Sequence, residues 1–189
     1  MRRAEAVAAR WERGAAGEAA TARLLRCLDG PWWLSRPVRA RGRGWRVRHD
    51  LRLAGRRFNV DHVLVSPCGT AVVVADTKSW HRGRPTALVD GRVHCGDDRH
   101  DQVEAVARYA RLVEAALNLP GVAVVPLIVV HGSPVVPGGL EAPVSGGTVW
   151  VLGAGEVVRR LREAVQTLPD RHRAQALDAR VKAVLSPYR

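Results

Sequence analysis

The sequence is short of lysine, isoleucine and asparagine. Only two of its 30 basic residues are lysines, Lys78 and Lys182, and the rest are arginine. This bias is typical of a GC-rich genome, so the number of arginines alone says little about function. The formal net charge of +12 says more, because excess positive charge favours a polyanionic partner such as nucleic acid or an acidic membrane surface. A basic protein that is merely soluble is the alternative.

Long apolar runs and paired cysteine motifs are also missing. No window approaches 18 uncharged apolar residues, so we expect no membrane span, and the basic N-terminus lacks the apolar segment of a signal peptide. Cys27, Cys68 and Cys95 show no C-x-x-C spacing and cannot all pair. They predict a reducing, cytoplasmic location with free buried thiols. His94, Cys95 and His100 fit no zinc-ligand spacing.

The order of predicted elements indicates one α/β domain over residues 1–189, with a mixed central β-sheet flanked by helices on both faces. Helical periodicity and stop signals predict four helices, and short apolar runs between turn signals predict the strands. The predicted helices span 3–28, 100–118, 154–167 and 170–185. The predicted strands span 32–38, 57–65, 70–76, 122–131 and 147–152, with a short hairpin inside 79–99 and a loop over 132–147.

An arginine-rich segment, residues 36–57, holds nine arginines against a single acid, Asp50. Such a density of positive charge, with Trp45 inside it, suits contacts to phosphate and occasional base stacking. The candidate nucleic-acid-binding residues are Arg39, Arg41, Arg43, Arg46 and Arg48.

Three charged residues gather around one predicted hairpin. Its turn is Ser-Pro-Cys-Gly at 66–69, which sets Asp61 opposite Ala75 or Asp76, with Cβ atoms about 4.5–5.5 Å apart. Asp76 and Lys78 share one face because strand side chains alternate. Two carboxylates this close repel each other unless a cation lies between them. A divalent metal would supply that cation, and the lysine amine beside it can hold an anionic or nucleophilic oxygen.

Two more polar residues lie on predicted apolar helix faces. Glu18 falls in the middle of the arc formed by Val7, Trp11, Gly14, Ala15, Ala22 and Leu25. A glutamate facing the core needs a partner, which is either one of the arginines or the Asp61/Asp76 cluster. Gln102 falls within the apolar face of the helix at 100–118, where it serves either in capping and packing or in function.

Taken in order, these residues resemble the NERD (nuclease-related) domain of the PD-(D/E)xK nuclease superfamily. The resemblance is carried by GAAGE at 14–18, by VDHVLVSPCGTAVVVADTKSWHRG at 60–83 and by DQVEAVARYARLVEAAL at 101–117. It covers roughly residues 11–131 and implies a PD-(D/E)xK nuclease-like core. Residues 140–189 lie beyond it as a C-terminal strand and helical extension.

The resemblance also implies a catalytic set and a metal. Glu18 matches the helix glutamate of the family, Asp61 the first strand aspartate, Asp76 with Lys78 the acid-x-Lys pair, and Gln102 the glutamine of the following helix. Mg²⁺ or Mn²⁺ would be held by Asp61, Asp76 and Glu18. One departure is that relatives commonly carry glutamate where Asp76 stands, although the superfamily accepts aspartate.

The sequence therefore predicts a metal-dependent phosphodiester hydrolase acting on DNA. A non-catalytic nucleic-acid-binding module that retains the nuclease fold is the first alternative. A small interaction domain, in which the polar residues form only a buried ion-pair network, is the second. RNA as substrate, the strandedness of the substrate, cleavage at ends or inside the strand, and homo-oligomer formation are left open.

Overall fold

The computed structural model describes residues 2–29, 44–56 and 58–188. Within these ranges the chain forms four helices and ten strands. The helices are α1 (Arg2–Leu25), α2 (Gln102–Leu117), α3 (Ala154–Ala164) and α4 (Arg171–Val184). The strands are β1 (Arg46–Leu53), β2 (Asn59–Val65), β3 (Ala71–Ser79), β4 (Thr86–Val89), β5 (Arg92–Cys95), β6 (Asp98–Arg99), β7 (Ala123–His131), β8 (Gly139–Val144), β9 (Gly147–Gly153) and β10 (Leu185–Pro187).

Seven strands form a mixed sheet in the order β10-β1-β2-β3-β7-β9-β8. Strands β1, β2 and β3 run as an antiparallel meander, whereas β3, β7 and β9 are parallel to one another. Two parallel strands need a long crossover between them, and the chain from β3 to β7 makes it through α2. A small sheet, β4-β5-β6, precedes that helix. The predicted mixed sheet flanked by helices is confirmed.

Both faces of the large sheet are covered by helices. On one face, Leu25 and Leu161 pack with Leu64 and Leu127 in a cluster that joins α1 and α3 to the sheet. On the other face, α2 and α4 pack against the sheet through a second cluster that includes Val63, Val72, Val113 and Val181. Each fully buried side chain of this size contributes about 1.5–3 kcal/mol, so the two clusters fix the sheet between its helices.

Four strands were not predicted, namely β1, β6, β8 and β10. Residues 139–144 were expected to lie in a loop, and this is wrong, because they form β8 and pair antiparallel with β9. Leu140 and Ala142 are buried while Glu141 and Pro143 face outward, and proline is tolerated because β8 is an edge strand. Strand β1 lies in the arginine-rich segment, and β10 pairs with it. The strand predicted at 32–38 lies outside the described residues.

The predicted inner face of α1 is wrong in part. Trp11 is 76% exposed and Ala15 is exposed, whereas Gly17, Thr21 and Leu25 are buried. The reason is that α1 meets β3 closely at Gly17, where an added Cβ would lie 2.6 Å from Ser79 Oγ. The helix face that touches the sheet is therefore set by this contact. Periodicity alone placed the face about one residue away.

Two smaller expectations concern membranes and thiols. Every helix in the described ranges is too short or too polar to cross a bilayer. Cys27, Cys68 and Cys95 are all free thiols. Cys27 is exposed, so the expectation of buried thiols is met at the other two positions only.

Candidate active site

The candidate site lies where β2 and β3 part. Their antiparallel pairing ends at His62 and Ala75, and one further step in the same register sets Asp61 opposite Asp76. Beyond this point a side chain replaces the backbone as the hydrogen-bond acceptor, because Asp61 Oδ2 accepts a hydrogen bond of 2.8 Å from the backbone N–H of Thr77. Asp61 is therefore held by the main chain of the neighbouring strand, and its carboxylate lies where the two strands separate. We call this end of the β2–β3 pair, which holds Asp61, Asp76 and Lys78, the fork.

Lys78 is the cation of this fork. Its Nζ lies 2.5 Å from Asp76 Oδ2, and the Asp76 and Lys78 side chains are both largely buried. Strand alternation puts these two residues on one face, while Thr77 and Ser79 point toward α1 on the other face. The structure thus brings Asp61, Asp76 and Lys78 to one end of the β2–β3 pair.

The carboxylates carry more negative charge than Lys78 can neutralise. Burial, followed by the charge of Asp76, raises the pKa of Asp61 to about 7, although the Thr77 N–H and Lys78 oppose the shift. Burial also raises the pKa of Asp76, against the effect of Lys78. The pKa of Glu18 is raised too, first by burial and then by the charges of Asp50 and Asp76. Glu18 therefore interacts electrostatically with this cluster from α1.

The donor set suits a hard divalent cation, because carboxylate oxygens are its preferred ligands and an added positive charge would relieve the repulsion between Asp61 and Asp76. Across residues 2–29, 44–56 and 58–188, however, no three acidic, histidine or cysteine side chains stand together as a ready ligand group. Asp61 and Asp76 meet in the fork, and Glu18 acts on them through its charge from α1. Two carboxylates are still enough for Mg²⁺, which usually keeps several waters and binds substrate phosphates alongside one or two carboxylates.

A chain of hydrogen bonds, buried at its centre and partly exposed at both ends, runs behind the carboxylates. His62 is 2% exposed, and its Nδ1 lies 2.7 Å from His49 Nδ1 while its Nε2 lies 3.2 Å from Thr77 Oγ1. Thr77 Oγ1 donates to Thr21 Oγ1 at 3.0 Å, and Thr21 Oγ1 lies 2.8 Å from His131 Nε2. Five side chains from β1, β2, β3, α1 and β7 are linked in this way.

The proton positions in this chain follow from one donor. Thr77 gives its hydroxyl proton to Thr21, so its oxygen must accept from His62 Nε2–H. His62 Nδ1 is then left as an acceptor, and His49 Nδ1–H donates to it. Burial, with the nearby His49 and His131, lowers the pKa of His62 to about 3. His62 is therefore neutral at physiological pH, and it fixes Thr77, whose N–H holds Asp61.

Residues 13–131, more than half of the chain, match the family model of the nuclease-related domain, NERD. The chain belongs to the NERD family. The matched stretch contains Glu18, Asp61, Asp76, Lys78 and Gln102, so the fork lies inside the family's own region. No curated protein and no solved structure matches the chain.

Gln102 is the first residue of α2 in this NERD domain, directly after the N-cap residue Asp101. Its polar neighbour is His100, whose pKa is lowered by burial, and Gln102 Oε1 is itself buried without a hydrogen-bond partner in the part of the chain that the structure describes. Among the described residues, no hydrogen bond joins Gln102 to a carboxylate of the fork. The structure therefore places Gln102 beside His100 and does not bring it into the group of Asp61, Asp76 and Lys78.

Only two of the five arginines predicted to bind nucleic acid are described, because Arg39, Arg41 and Arg43 lie outside the described residues. Arg48 makes a two-pronged ion pair with Asp178 of α4, through Nε–Oδ1 at 2.8 Å and Nη2–Oδ2 at 2.9 Å. Asp178 is 4% exposed, so Arg48 neutralises a buried charge and ties α4 to β1. Arg46 is half-buried on the same strand. Arg48 is thus committed to a partner in α4, which lies outside the matched residues 13–131.

The sequence interpretation missed the residues of the hydrogen-bonded chain. One signal was available, since His62 and Thr77 directly follow Asp61 and Asp76 in otherwise apolar strands. Thr21 and His131 gave none, because they lie 110 residues apart.

Proposed function

We propose that this NERD domain hydrolyses phosphodiester bonds in DNA, with Mg²⁺ or Mn²⁺ held by Asp61 and Asp76. The observation that carries the proposal is the fork itself, in which two buried carboxylates with raised pKa values meet beside a lysine amine. When bound there, the ion would polarise the scissile phosphate as a Lewis acid. Glu18 would add negative charge from α1 that favours the ion's approach.

Lys78 would position the attacking water and stabilise the developing negative charge. Its ammonium is compact and lies beside Asp76, where it can hold the attacking water by a hydrogen bond and stabilise the charge that develops on the phosphate oxygens. A guanidinium is planar and broader, so arginine, which the chain uses nearly everywhere else, is a poor substitute. The Thr77 N–H, fixed through His62, keeps Asp61 turned into the fork.

A cleavage assay tests the proposal. Supercoiled, linear and single-stranded DNA are each incubated with the purified protein in Mg²⁺, in Mn²⁺ and in EDTA. We expect cleavage with a metal ion and none in EDTA. If neither ion supports cleavage of any substrate, the enzyme proposal fails. In that event the NERD domain is better explained as a nucleic-acid-binding module.

A further inference from the structure

A cleft of about 780 Å³ opens beside the fork, and neither the carboxylates nor Lys78 line it. One wall is α1, through Arg13, Ala16, Gly17 and Ala20. The other walls are the residues at the end of β3 and just after it, 79–82, and the end of β7. Gly17 directly precedes Glu18, and Ser79 directly follows Lys78. The cleft and the fork are therefore adjacent along β3 but lie on opposite faces of this strand, because Ser79 points toward α1 and Lys78 points away from it.

The charge of the cleft is positive. Its lining includes Arg13, His81, Arg82 and His131 and contains no aspartate or glutamate. Arg13 and Arg82 are exposed, and neither guanidinium forms an ion pair with another described residue. Other arginines differ in this respect, since Arg84 pairs with Asp98 and Arg159 with Glu156 and Glu163. Two unpaired arginines on one acid-free concavity form a phosphate-binding arrangement.

The wall of the cleft contains a glycine with no room for a side chain and a stacked tryptophan. At Gly132, where φ is +88°, an added Cβ would lie 2.4 Å from the Trp80 carbonyl oxygen, so only glycine fits there. Trp80, in the same wall, stacks on His100 with a centroid separation of 4.1 Å. The cleft thus offers one fixed aromatic ring, exposed backbone and cationic side chains at its rim.

We propose that this cleft binds a single-stranded segment of nucleic acid, which passes round the end of β3 to reach the fork on the other face of that strand. Proteins that read a duplex insert a helix or ribbon into a groove, whereas here the basic and aromatic groups line a hollow. A positive groove with an aromatic stacking surface is the arrangement that holds single strands. The inference rests on the proposed function only in naming the fork as the destination, because binding in the cleft needs no metal.

Binding in EDTA tests the cleft apart from any cleavage. Anisotropy of a labelled oligothymidine of about twelve nucleotides, and of its duplex with oligoadenine, is titrated at several salt concentrations. We expect the parent protein to prefer the single strand by roughly tenfold or more. For the double variant Arg13→Ala/Arg82→Ala, the slope of log affinity against log salt concentration should become shallower by about 1.4. Each phosphate contact on a single strand contributes about 0.7 to that slope. Arg23→Ala/Arg92→Ala removes two exposed arginines away from the cleft and should leave the preference for the single strand intact.

A second pair of variants fills the cleft without changing charge. Ala16 lines the cleft and Ala15, its exposed neighbour on α1, does not. Ala16→Trp should weaken single-strand binding roughly tenfold, because the indole would occupy the path of the strand, whereas Ala15→Trp should bind like the parent. The inference is overturned if Ala16→Trp binds like the parent, or if the duplex binds as tightly as the single strand. A parent that binds single strands through the cleft and never cuts them would refute the proposed function alone.

Discussion

Lys78 Nζ and Asp76 Oδ2 are 2.5 Å apart on the same face of β3. This pair neutralises one carboxylate and leaves Asp61, across the fork, with a pKa raised to about 7. One lysine beside at least two acids makes a site that attracts a further cation and still presents an amine to a phosphate. The rarity of lysine in the chain and its place in the fork thus have one chemical explanation, which the following variants test.

Replacing Lys78 with alanine should reduce cleavage by about 10²–10³-fold, the loss that follows removal of one group stabilising transition-state charge. DNA affinity should remain within about twofold of the parent, because one charge among many contributes little to binding. Lys182→Ala is the matched control, since it removes the only other lysine, which contacts Asp178 at 3.3 Å on α4. Equal cleavage by Lys78→Ala and the parent would remove Lys78 from the mechanism.

Asp61→Asn should stabilise the fold at pH 8 and have little effect at low pH. The pKa of Asp61 is raised from 3.8 to about 7, so the folded state favours the protonated carboxyl. That stabilisation is complete below the unfolded-state pKa and is lost as pH rises through 7, which costs the folded protein up to about 4 kcal/mol. Asparagine keeps an acceptor for the Thr77 N–H and cannot ionise.

Urea unfolding at several pH values, in EDTA, measures this effect. The control is Asp97→Asn, which changes an exposed aspartate and should track the parent at every pH. A stability gain for Asp61→Asn that is equal at low and high pH would show that the pKa of Asp61 is not raised.

Metal binding should release protons near neutral pH. An ion that uses Asp61 must displace the proton that this carboxyl holds below pH 7, so affinity should rise with pH through that value. Calorimetric titration with Mn²⁺ in two buffers of different ionisation heat gives the number of protons released, which should vanish well above pH 7. Asp61→Asn should abolish the buffer dependence. Binding without proton release would place the ion elsewhere.

Arg48→Ala should destabilise the protein by about 3 kcal/mol, because among the described residues it leaves the buried carboxylate of Asp178 with Lys182 as its one ion-pair partner. Arg52→Ala, at an exposed position on the same strand, should cost less than about 0.5 kcal/mol. The double variant Arg48→Leu/Asp178→Leu should recover most of the loss. If Arg48→Ala instead weakens DNA binding at unchanged stability, the phosphate contact predicted from the sequence is correct.

The hairpin of the site was predictable because it is local. The Ser-Pro-Cys-Gly turn limits the register so that Asp61 lies opposite Ala75 or Asp76, and the structure selects Asp76. Alternation then places Lys78 on the face of Asp76. These relations depend on residues less than 20 positions apart in the chain.

The features that were missed or misjudged depend on distant partners. Trp11 lies on an apolar arc, yet the close approach of Gly17 to Ser79 turns the helix so that Trp11 is exposed. Arg48 sits in an arginine-rich segment, and nothing local indicates that Asp178, 130 residues later, takes its charge. Periodicity shows that a helix has a face, but the neighbouring element decides which residues that face contains.

The hydrogen bond between Thr21 and His131 bears on the order in which the protein folds during its synthesis. The β2–β3 hairpin closes a short loop, so Asp61 and Asp76 can meet as soon as those strands are made. Thr77 receives Thr21 as its second partner when α1 docks, but Thr21 receives His131, 110 residues later in the chain, only when β7 has docked as well. Contacts of such sequence separation form late. A nascent chain that stops before residue 123 would therefore hold the carboxylates in a loose fork, and we expect it to be unable to cut nucleic acid during its own synthesis.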